Sequence, residues 1–231
     1  MRIAILIFSL IAQCAFAQMG FMESRIGGTN LVGWWTFNGG VLTNDSSGFA
    51  NNCTNFNAYS TNGIIGLGLG FTSSNYLSVN SQIKSFVSGS SNATLVGWAK
   101  GNIVFGFNPT NNASGERFST LVLGNTAYFS CESGGQASFP NCLINTNNYN
   151  YFSMVLSNGI LFAFTNGVSA VLTNGGVTPS AKISTNLPNF TIGGMTNLSG
   201  GGIIDDIRIF NRALSASEIS QLYNNGKGTQ K

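Results

Sequence analysis

Histidine is absent from this sequence of 231 residues. Imidazole is the usual proton shuttle near neutral pH and the commonest transition-metal ligand, so its absence excludes Ser-His-Asp and Cys-His catalysis and His-ligated metal sites. Charge is also scarce, since 7% of the residues are charged, with ten Lys and Arg against seven Asp and Glu. A dispersed net charge of +3 cannot neutralise several phosphates, and nucleic acid is therefore not an expected partner.

No apolar run is long enough to cross a bilayer. The clearest apolar run, at residues 3–12, would cover about half of a bilayer, so no membrane span is expected. It follows Arg2 and precedes an Ala-Phe-Ala cleavage site, which predicts a signal peptide over residues 1–17. A lipid-attachment box ending at Cys14 is the alternative, but Gln13 is a poor fit to it. The sequence thus predicts a protein that is secreted or lies in the cell envelope, in an extracellular or periplasmic compartment.

Cleavage after residue 17 would leave Cys53, Cys131 and Cys142, an odd number in an oxidising compartment. Cys131 and Cys142 flank a loop rich in Gly, Ser, Asn and Pro, and closing a loop of that size stabilises by about 2 to 3 kcal/mol. We therefore predict a Cys131–Cys142 disulfide. A metal site and free buried thiols are the alternatives.

Short apolar runs and turn residues are abundant instead. From residue 31 onward, about eleven runs rich in Val, Ile, Phe and Tyr alternate with Asn and Gly, and amphipathic helices between them are lacking. This pattern predicts an all-β antiparallel sandwich. Two Asn-Gly pairs predict a meander of hairpins over residues 151–172. A capping box from Ser215 to Glu218, with Leu214 and Ile219 as a hydrophobic staple, predicts one short C-terminal helix.

Four segments resemble the laminin-G-like and concanavalin-A-like jelly-roll domains of secreted proteins. They are residues 31–37 with the Asp-Ser-Ser-Gly turn at 45–48, residues 66–71 with 76–79, residues 151–167, and residues 204–215 with Glu218 and Ile219. The last, Ile-Asp-Asp-Ile-Arg-Ile-Phe-Asn-Arg-Ala-Leu-Ser, is the most specific. The resemblance implies a two-sheet antiparallel jelly-roll sandwich.

The resemblance covers residues 30–225, which we expect to be one laminin-G-like domain. A leading arm over residues 18–29 would precede it. A flexible tail over residues 226–231 would follow it.

Catalysis is not expected. Glycoside hydrolases that resemble this fold carry a Glu-x-Asp-x-x-Glu array or a similar one, which this sequence lacks. A retaining glycosidase needs two carboxylates about 5 Å apart. Asp205 and Asp206 are adjacent in sequence, but neighbouring residues of a strand point to opposite faces. We therefore predict that the protein is not an enzyme.

Asp205 is the candidate metal ligand. Strand alternation predicts that it shares a face with Ile207 and Ile209. In jelly-roll relatives the matching aspartate looks like the side-chain ligand of a structural calcium whose other ligands are mostly backbone carbonyls. The resemblance thus implies calcium at Asp205, and the alternative is a carboxylate that accepts backbone or Arg hydrogen bonds without metal.

Glycan recognition requires accessible aromatic rings beside amides and hydroxyls, because sugars have apolar C–H faces and directional hydroxyls. Tyr149, Tyr151, Phe107 and Phe118 adjoin Asn-rich stretches and are the candidate ligand-binding residues. The leading hypothesis is a secreted, non-catalytic laminin-G-like module that binds an extracellular glycan. The alternative is a structural or protein-interaction domain of the cell envelope without a sugar site.

Overall fold

The computed structural model describes residues 30–39, 41–72, 74–108, 116–133, 136–138, 141–172, 182–193 and 201–229. The predicted signal peptide (1–17) and leading arm (18–29) lie outside these residues. The described residues form sixteen strands. The first eight are β1 Leu31–Trp35, β2 Cys53–Phe56, β3 Tyr59–Asn62, β4 Leu67–Phe71, β5 Tyr76–Val79, β6 Ala93–Gly101, β7 Ile103–Phe107 and β8 Arg117–Leu123. The others are β9 Thr126–Ser133, β10 Gln136–Ser138, β11 Asn141–Leu143, β12 Asn150–Ser157, β13 Ile160–Thr165, β14 Val168–Ser169, β15 Phe190–Gly193 and β16 Gly202–Phe210.

The strands form two antiparallel sheets. The first sheet has the order β14-β13-β12-β6-β16-β4-β3, with β1 paired to β16. The second has the order β10-β9-β8-β7-β15-β5-β2, with β11 paired to β9. The predicted all-β, two-sheet antiparallel sandwich of jelly-roll type is confirmed.

The main core lies between the sheets and follows the alternation of side chains along each strand. In β6, Leu95 and Ala99 point into this core, while Val96 and Trp98 point to the outer face of the first sheet. All four are buried: Leu95 and Ala99 lie between the sheets, and a helix covers Val96 and Trp98 on the outer face. The central strands therefore read as almost continuous apolar runs.

The predicted hairpins follow one another from β12 to β14. Asn158-Gly159 and Asn166-Gly167 connect them, and all four residues have positive φ. Turns of this hand match the twist of the strands that they join, which explains why Asn and Gly occupy them.

Helix α1 spans Ala216–Tyr223 and begins at the predicted capping box. The Ser215 hydroxyl accepts from the Glu218 N–H, and the Glu218 carboxylate accepts from the Ser215 N–H. Ile219 and Leu222 pack on the outer face of the first sheet. Of the chain that the structure describes, no helix is long and apolar enough to cross a membrane.

The chain after α1 is packed where a flexible tail was predicted. Gly228 is buried, its N–H donates to the Tyr223 carbonyl, and its carbonyl accepts from the Asn224 side chain. Arg208 donates to the carbonyl of Thr229. Residues 226–229 therefore form a strap over the first sheet, whereas residues 230–231 lie outside the described part of the chain.

Candidate functional site

Three of the four predicted ligand-binding aromatics are buried, so for them the prediction is wrong. Phe107 and Phe118 are paired across β7 and β8 on the inward face, and both are 0% exposed. Tyr151 is 1% exposed beneath α1, where its ring lies 5.0 Å from that of Trp98. Each occupies an inward or helix-covered position of its strand, which the composition of neighbouring loops does not reveal.

Tyr149 remains partly accessible. Its hydroxyl donates to the Asn62 carbonyl at 2.8 Å, and the Lys100 ammonium lies 5.8 Å from its ring centroid. Partial burial, and then the nearby Asp205 carboxylate, raise the pKa of its hydroxyl. Tyr149 therefore ties a loop to the first sheet, and its role in ligand binding stays a prediction.

Asp205 lies on the outer face of the first sheet, whereas Ile207 and Ile209 point into the core. The shared face predicted for these residues is wrong, because a bulge at Asp206 (φ 51°) interrupts the alternation. Asp205 pairs with the outward-facing Trp98 in β6.

Asp205 is sealed from solvent. The N–H groups of Ile64 and Ile65 donate to its Oδ2, both at 2.9 Å. Its Oδ1 is buried without a hydrogen-bond partner. Burial, and to a lesser extent the neighbouring Asp206 carboxylate, raises the pKa of the carboxyl to about 7, although the backbone N–H groups of Ile65, Ile64 and Asp206 oppose this rise.

The same bulge places Asp206 on the outer side of the sheet. Asp206 Oδ1 accepts from the Trp34 indole at 2.6 Å, and both carboxylate oxygens accept from Arg208. The Arg208 guanidinium lies 4.5 Å from the centroid of the Trp34 ring. The two carboxylates thus share one side, contrary to the prediction, but Asp206 is held in an ion pair and Asp205 is sealed.

The hydrogen bonds of Asp205 leave one of its two carboxylate oxygens for a cation. Calcium takes six to eight oxygen ligands. Asp205 Oδ2 instead faces N–H donors, and Oδ1 is the carboxylate atom that remains for a cation. No group of three or more His, Cys, Asp or Glu within the described ranges is placed to hold a metal ion. Calcium at Asp205 stays a prediction.

The predicted disulfide is absent, and Cys53, Cys131 and Cys142 are free thiols. Cys142 in β11 lies opposite Ala127 of β9, whereas Cys131 lies further along β9. Four residues of strand separate the two positions by about 13 Å. A disulfide needs Cα atoms within about 7 Å, so this strand register cannot accommodate it. Burial raises the pKa of Cys131 to about 11.

An exposed aromatic side chain, Phe56, stands beside uncharged polar groups along β2 and β5. These strands are antiparallel neighbours, and β2 is an edge strand of the second sheet. Leu77 and Val79 of β5 point into the core, so the alternate positions point outward. We call the following set the β2–β5 ribbon: Asn52, Thr54 and Phe56 with their partners Asn80, Ser78 and Tyr76.

One end of the ribbon is an aromatic pair. The rings of Phe56 and Tyr76 are stacked with centroids 4.6 Å apart and planes 15° from parallel. Phe56 is 42% exposed although one of its faces contacts Tyr76, so solvent reaches the rest of the ring. The next outward pair, Thr54 and Ser78, supplies two hydroxyls. An apolar ring face beside hydroxyls is the combination that a sugar requires.

Sequence reasoning did not find the ribbon. The signal was present as polar and aromatic residues two apart, Asn-x-Thr-x-Phe at 52–56 and Tyr-x-Ser-x-Asn at 76–80. These two patterns run in opposite directions, as antiparallel partners must.

The fold is similar to solved binding domains at low sequence identity. The binding domain of Paraclostridial Mosquitocidal Protein 1 has a TM-score of 0.68 and 15% identity, covering 87% of this chain and 53% of that one. The botulinum neurotoxin serotype G binding domain has a TM-score of 0.62 and 17% identity, covering 84% and 50%. Our chain therefore spans about half the length of these toxin domains.

The match to a third solved structure covers nearly the whole of that structure's chain. Domain 4 of AbnA, a GH43 extracellular arabinanase from Geobacillus stearothermophilus, in complex with arabinotriose, has a TM-score of 0.58 and 16% identity, covering 83% of this chain and 97% of that one. Such likenesses establish the fold. No family model and no curated protein matches the chain.

Proposed function

We propose that the protein is a secreted, non-catalytic module of laminin-G-like type that binds an extracellular glycan at the β2–β5 ribbon. The observation that carries the proposal is the stacked Phe56–Tyr76 pair, because it presents an exposed ring on a sheet edge beside the hydroxyls of Thr54 and Ser78. Aromatic stacking and hydroxyl contacts together recognise the two kinds of sugar surface.

Two of the similar structures lend support as analogies of fold. One is the arabinanase domain, whose structure contains arabinotriose, and the other is the mosquitocidal toxin domain, which is described as a binding domain. Export to the extracellular space or the cell envelope remains part of the proposal and derives from the predicted signal peptide.

The state of the carboxylates supports a non-catalytic role. Glycoside hydrolysis needs one carboxyl group to transfer a proton and another to act on the sugar or on water. Asp205 is 0% exposed, and Asp206 is bonded to Arg208 and Trp34. A substrate bound at the surface would reach neither of them.

A glycan array tests the proposal. The mature protein is produced in a bacterial host, so that the Asn-Cys-Thr sequon at Asn52 stays unmodified. We expect saturable binding that free sugar competes away and that Phe56→Ala reduces. Phe162→Ala is the matched control, because Phe162 is an exposed phenylalanine (46%) on the first sheet. Equal losses in the two variants, or silence across diverse glycans, would contradict the proposal.

A structural or protein-interaction role is the second candidate. Ile160 and Phe162 alternate along β13, and Val168 follows in β14, so that an apolar stripe is exposed near one edge of the first sheet. Exposed apolar patches mark contact sites on soluble proteins. This candidate would be favoured if the protein bound no glycan on the array and self-associated in sedimentation velocity, and if Phe162→Ala abolished that self-association.

A further inference from the structure

We propose that the outer face of the first sheet carries a further glycan site, separate from the β2–β5 ribbon, which binds a hexuronic acid unit of an acidic glycan. The ring of Tyr59 contacts the apolar face of the sugar, and the Lys100 ammonium binds its carboxylate. We call Tyr59, Thr61, Ile203 and Lys100 the β3–β6 surface, because they lie on strands β3, β16 and β6. This site stands independently of the ribbon, which lies on the second sheet.

The strand register places three of these side chains in one row across the sheet. Tyr59 in β3 is paired with Gly70 in β4, which is paired with Ile203 in β16. Ile203 is paired in turn with Lys100 in β6. The chain neighbours of these residues that point into the main core are Leu69, Phe71, Ala99 and Ile204. Because side chains alternate along a strand, the row lies on the outer face of the first sheet.

The Tyr59 ring lies over Gly70. A Cβ atom added at Gly70 would overlap the ring atoms Cε2 and Cζ of Tyr59, so the ring occupies the space that a side chain there would fill. Tyr59 is nevertheless 52% exposed. The absence of a side chain at position 70 therefore lets the ring lie against the sheet while solvent still reaches it. A ring held in this way loses little conformational entropy when a ligand binds.

The rest of the β3–β6 surface is partly open to solvent. Ile203, Lys100 and Thr61 are half-buried. Helix α1 packs on the neighbouring row, at Trp98. Thr61 lies two residues from Tyr59 on the same face of β3 and supplies a hydroxyl. An aromatic ring, an aliphatic side chain and a hydroxyl are groups that a sugar ring contacts.

Lys100 supplies the selectivity for an acid. Its ammonium lies 5.8 Å from the centroid of the Tyr149 ring, and this cation–π contact orients it. The ion pairs within the described ranges do not include Lys100. The Asp205 carboxylate interacts with Tyr149, but it is buried and accepts from Ile64 and Ile65. Lys100 can therefore donate a charge-assisted hydrogen bond to a sugar carboxylate.

The spacing of the row fits one sugar acid. Neighbouring strands are about 4.8 Å apart, so the backbone of Lys100 lies about 10 Å from Gly70, where the Tyr59 ring is placed. The flexible lysine side chain reaches over part of this distance, and one sugar ring with its carboxylate spans the rest. A hexuronic acid therefore contacts both groups at once, whereas a neutral sugar contacts the ring but forms no ion pair.

Isothermal titration with matched acidic and neutral probes tests the charge contact. The probes are tetramers of galacturonate, glucuronate and mannuronate, each as the free acid and as the methyl ester, which keeps the sugar rings but removes the charge. We expect at least one acid to bind about tenfold more tightly than its ester, since a hydrogen bond to a charged group is stronger than a neutral one. Lys100→Gln should remove this preference. Lys84→Gln, which removes a lysine from the 3₁₀ helix Ser81–Phe86, is the matched control and should keep it.

Variants at two positions test the ring contact. Tyr59→Ala should weaken binding of the acid and of its ester alike, by up to about tenfold, whereas Tyr59→Phe should keep it. Gly70→Ala should weaken binding as Tyr59→Ala does, although it removes no side chain, because the added Cβ displaces the Tyr59 ring. Thermal melting confirms that each variant folds.

The outcomes distinguish this site from the ribbon. Phe56→Ala should leave the preference for the acid unchanged. Equal affinity for acids and esters, a Lys100→Gln variant that keeps the preference, a Tyr59→Ala variant that binds like wild type, or no binding of any probe would each overturn the proposal. Acid binding that is lost in Phe56→Ala but kept in Tyr59→Ala would assign the acid to the ribbon, so that the proposed function would stand and this site would not.

Discussion

Raising the pH from about 4 to about 8 should lower the free energy of unfolding, because Asp205 has to ionise inside the folded protein. Its side chain is 0% exposed, and its Oδ1 has no hydrogen-bond partner. A buried carboxylate with one oxygen unpaired favours the protonated form, and the pKa of Asp205 is accordingly raised from 3.8 to about 7.

Between about pH 4 and about pH 7, the folded protein retains a proton on Asp205 that the unfolded chain has released. The free energy of unfolding therefore decreases as the pH rises through this window. Below about pH 4 both states are protonated and the contribution of Asp205 is fully present. Each pH unit in the window removes up to about 1.4 kcal/mol, which gives a loss of about 4 kcal/mol by about pH 7.

Urea unfolding measured by tryptophan fluorescence at several pH values provides the assay. Asp205→Asn keeps an oxygen for the N–H groups of Ile64 and Ile65 but cannot ionise. We expect this variant to lose most of the pH dependence and to be more stable than wild type at about pH 8. An unchanged pH slope in Asp205→Asn, or lower stability than wild type at that pH, would refute the reasoning. Asp206→Asn is the comparison, because it leaves Arg208 without its carboxylate and should destabilise throughout the range.

Two further predictions concern metal and thiols. If calcium binds Asp205, its addition near neutral pH should raise the melting temperature of the wild type but not of Asp205→Asn, and an unchanged temperature after chelation would contradict the calcium prediction. Thiol titration of the denatured, unreduced mature protein should find Cys53, Cys131 and Cys142 all free, with Cys131 reacting slowly in the native state because it is buried; a Cys131–Cys142 peptide in a non-reducing digest would contradict the observed strand register.

The sequence predicted the elements in which an apolar repeat is accompanied by a capping or turn motif. β16 and α1 are examples, because an apolar strand there runs into a capping box whose two hydrogen bonds form as expected. β2 and β3 were missed since they are short edge strands, largely polar and mostly exposed. Their pairing depends on β5 and β4, which are distant in sequence and supply the partner groups.

The candidate site was harder to predict because exposure depends on tertiary packing. Phe107 and Tyr151 adjoin polar loops in the sequence yet are buried by the opposite sheet and by α1 respectively. The bulge at Asp206 has no composition signal, since a non-glycine residue adopts positive φ there. Thus residue type identified sugar-compatible chemistry, but the strand register decided which residues display it.

Because the ribbon lies on the surface, substitutions in it can change the preference for the proposed ligand without disturbing the core. Asn52, Thr54, Phe56 and Ser78 face away from the interior, so exchanging them changes the displayed chemistry with little effect on packing between the sheets. Surface substitutions of this kind alter stability by about half a kcal/mol or less. A library randomised at these positions would therefore retain mostly folded members, and the edge of this sandwich is a natural scaffold for selecting new specificities.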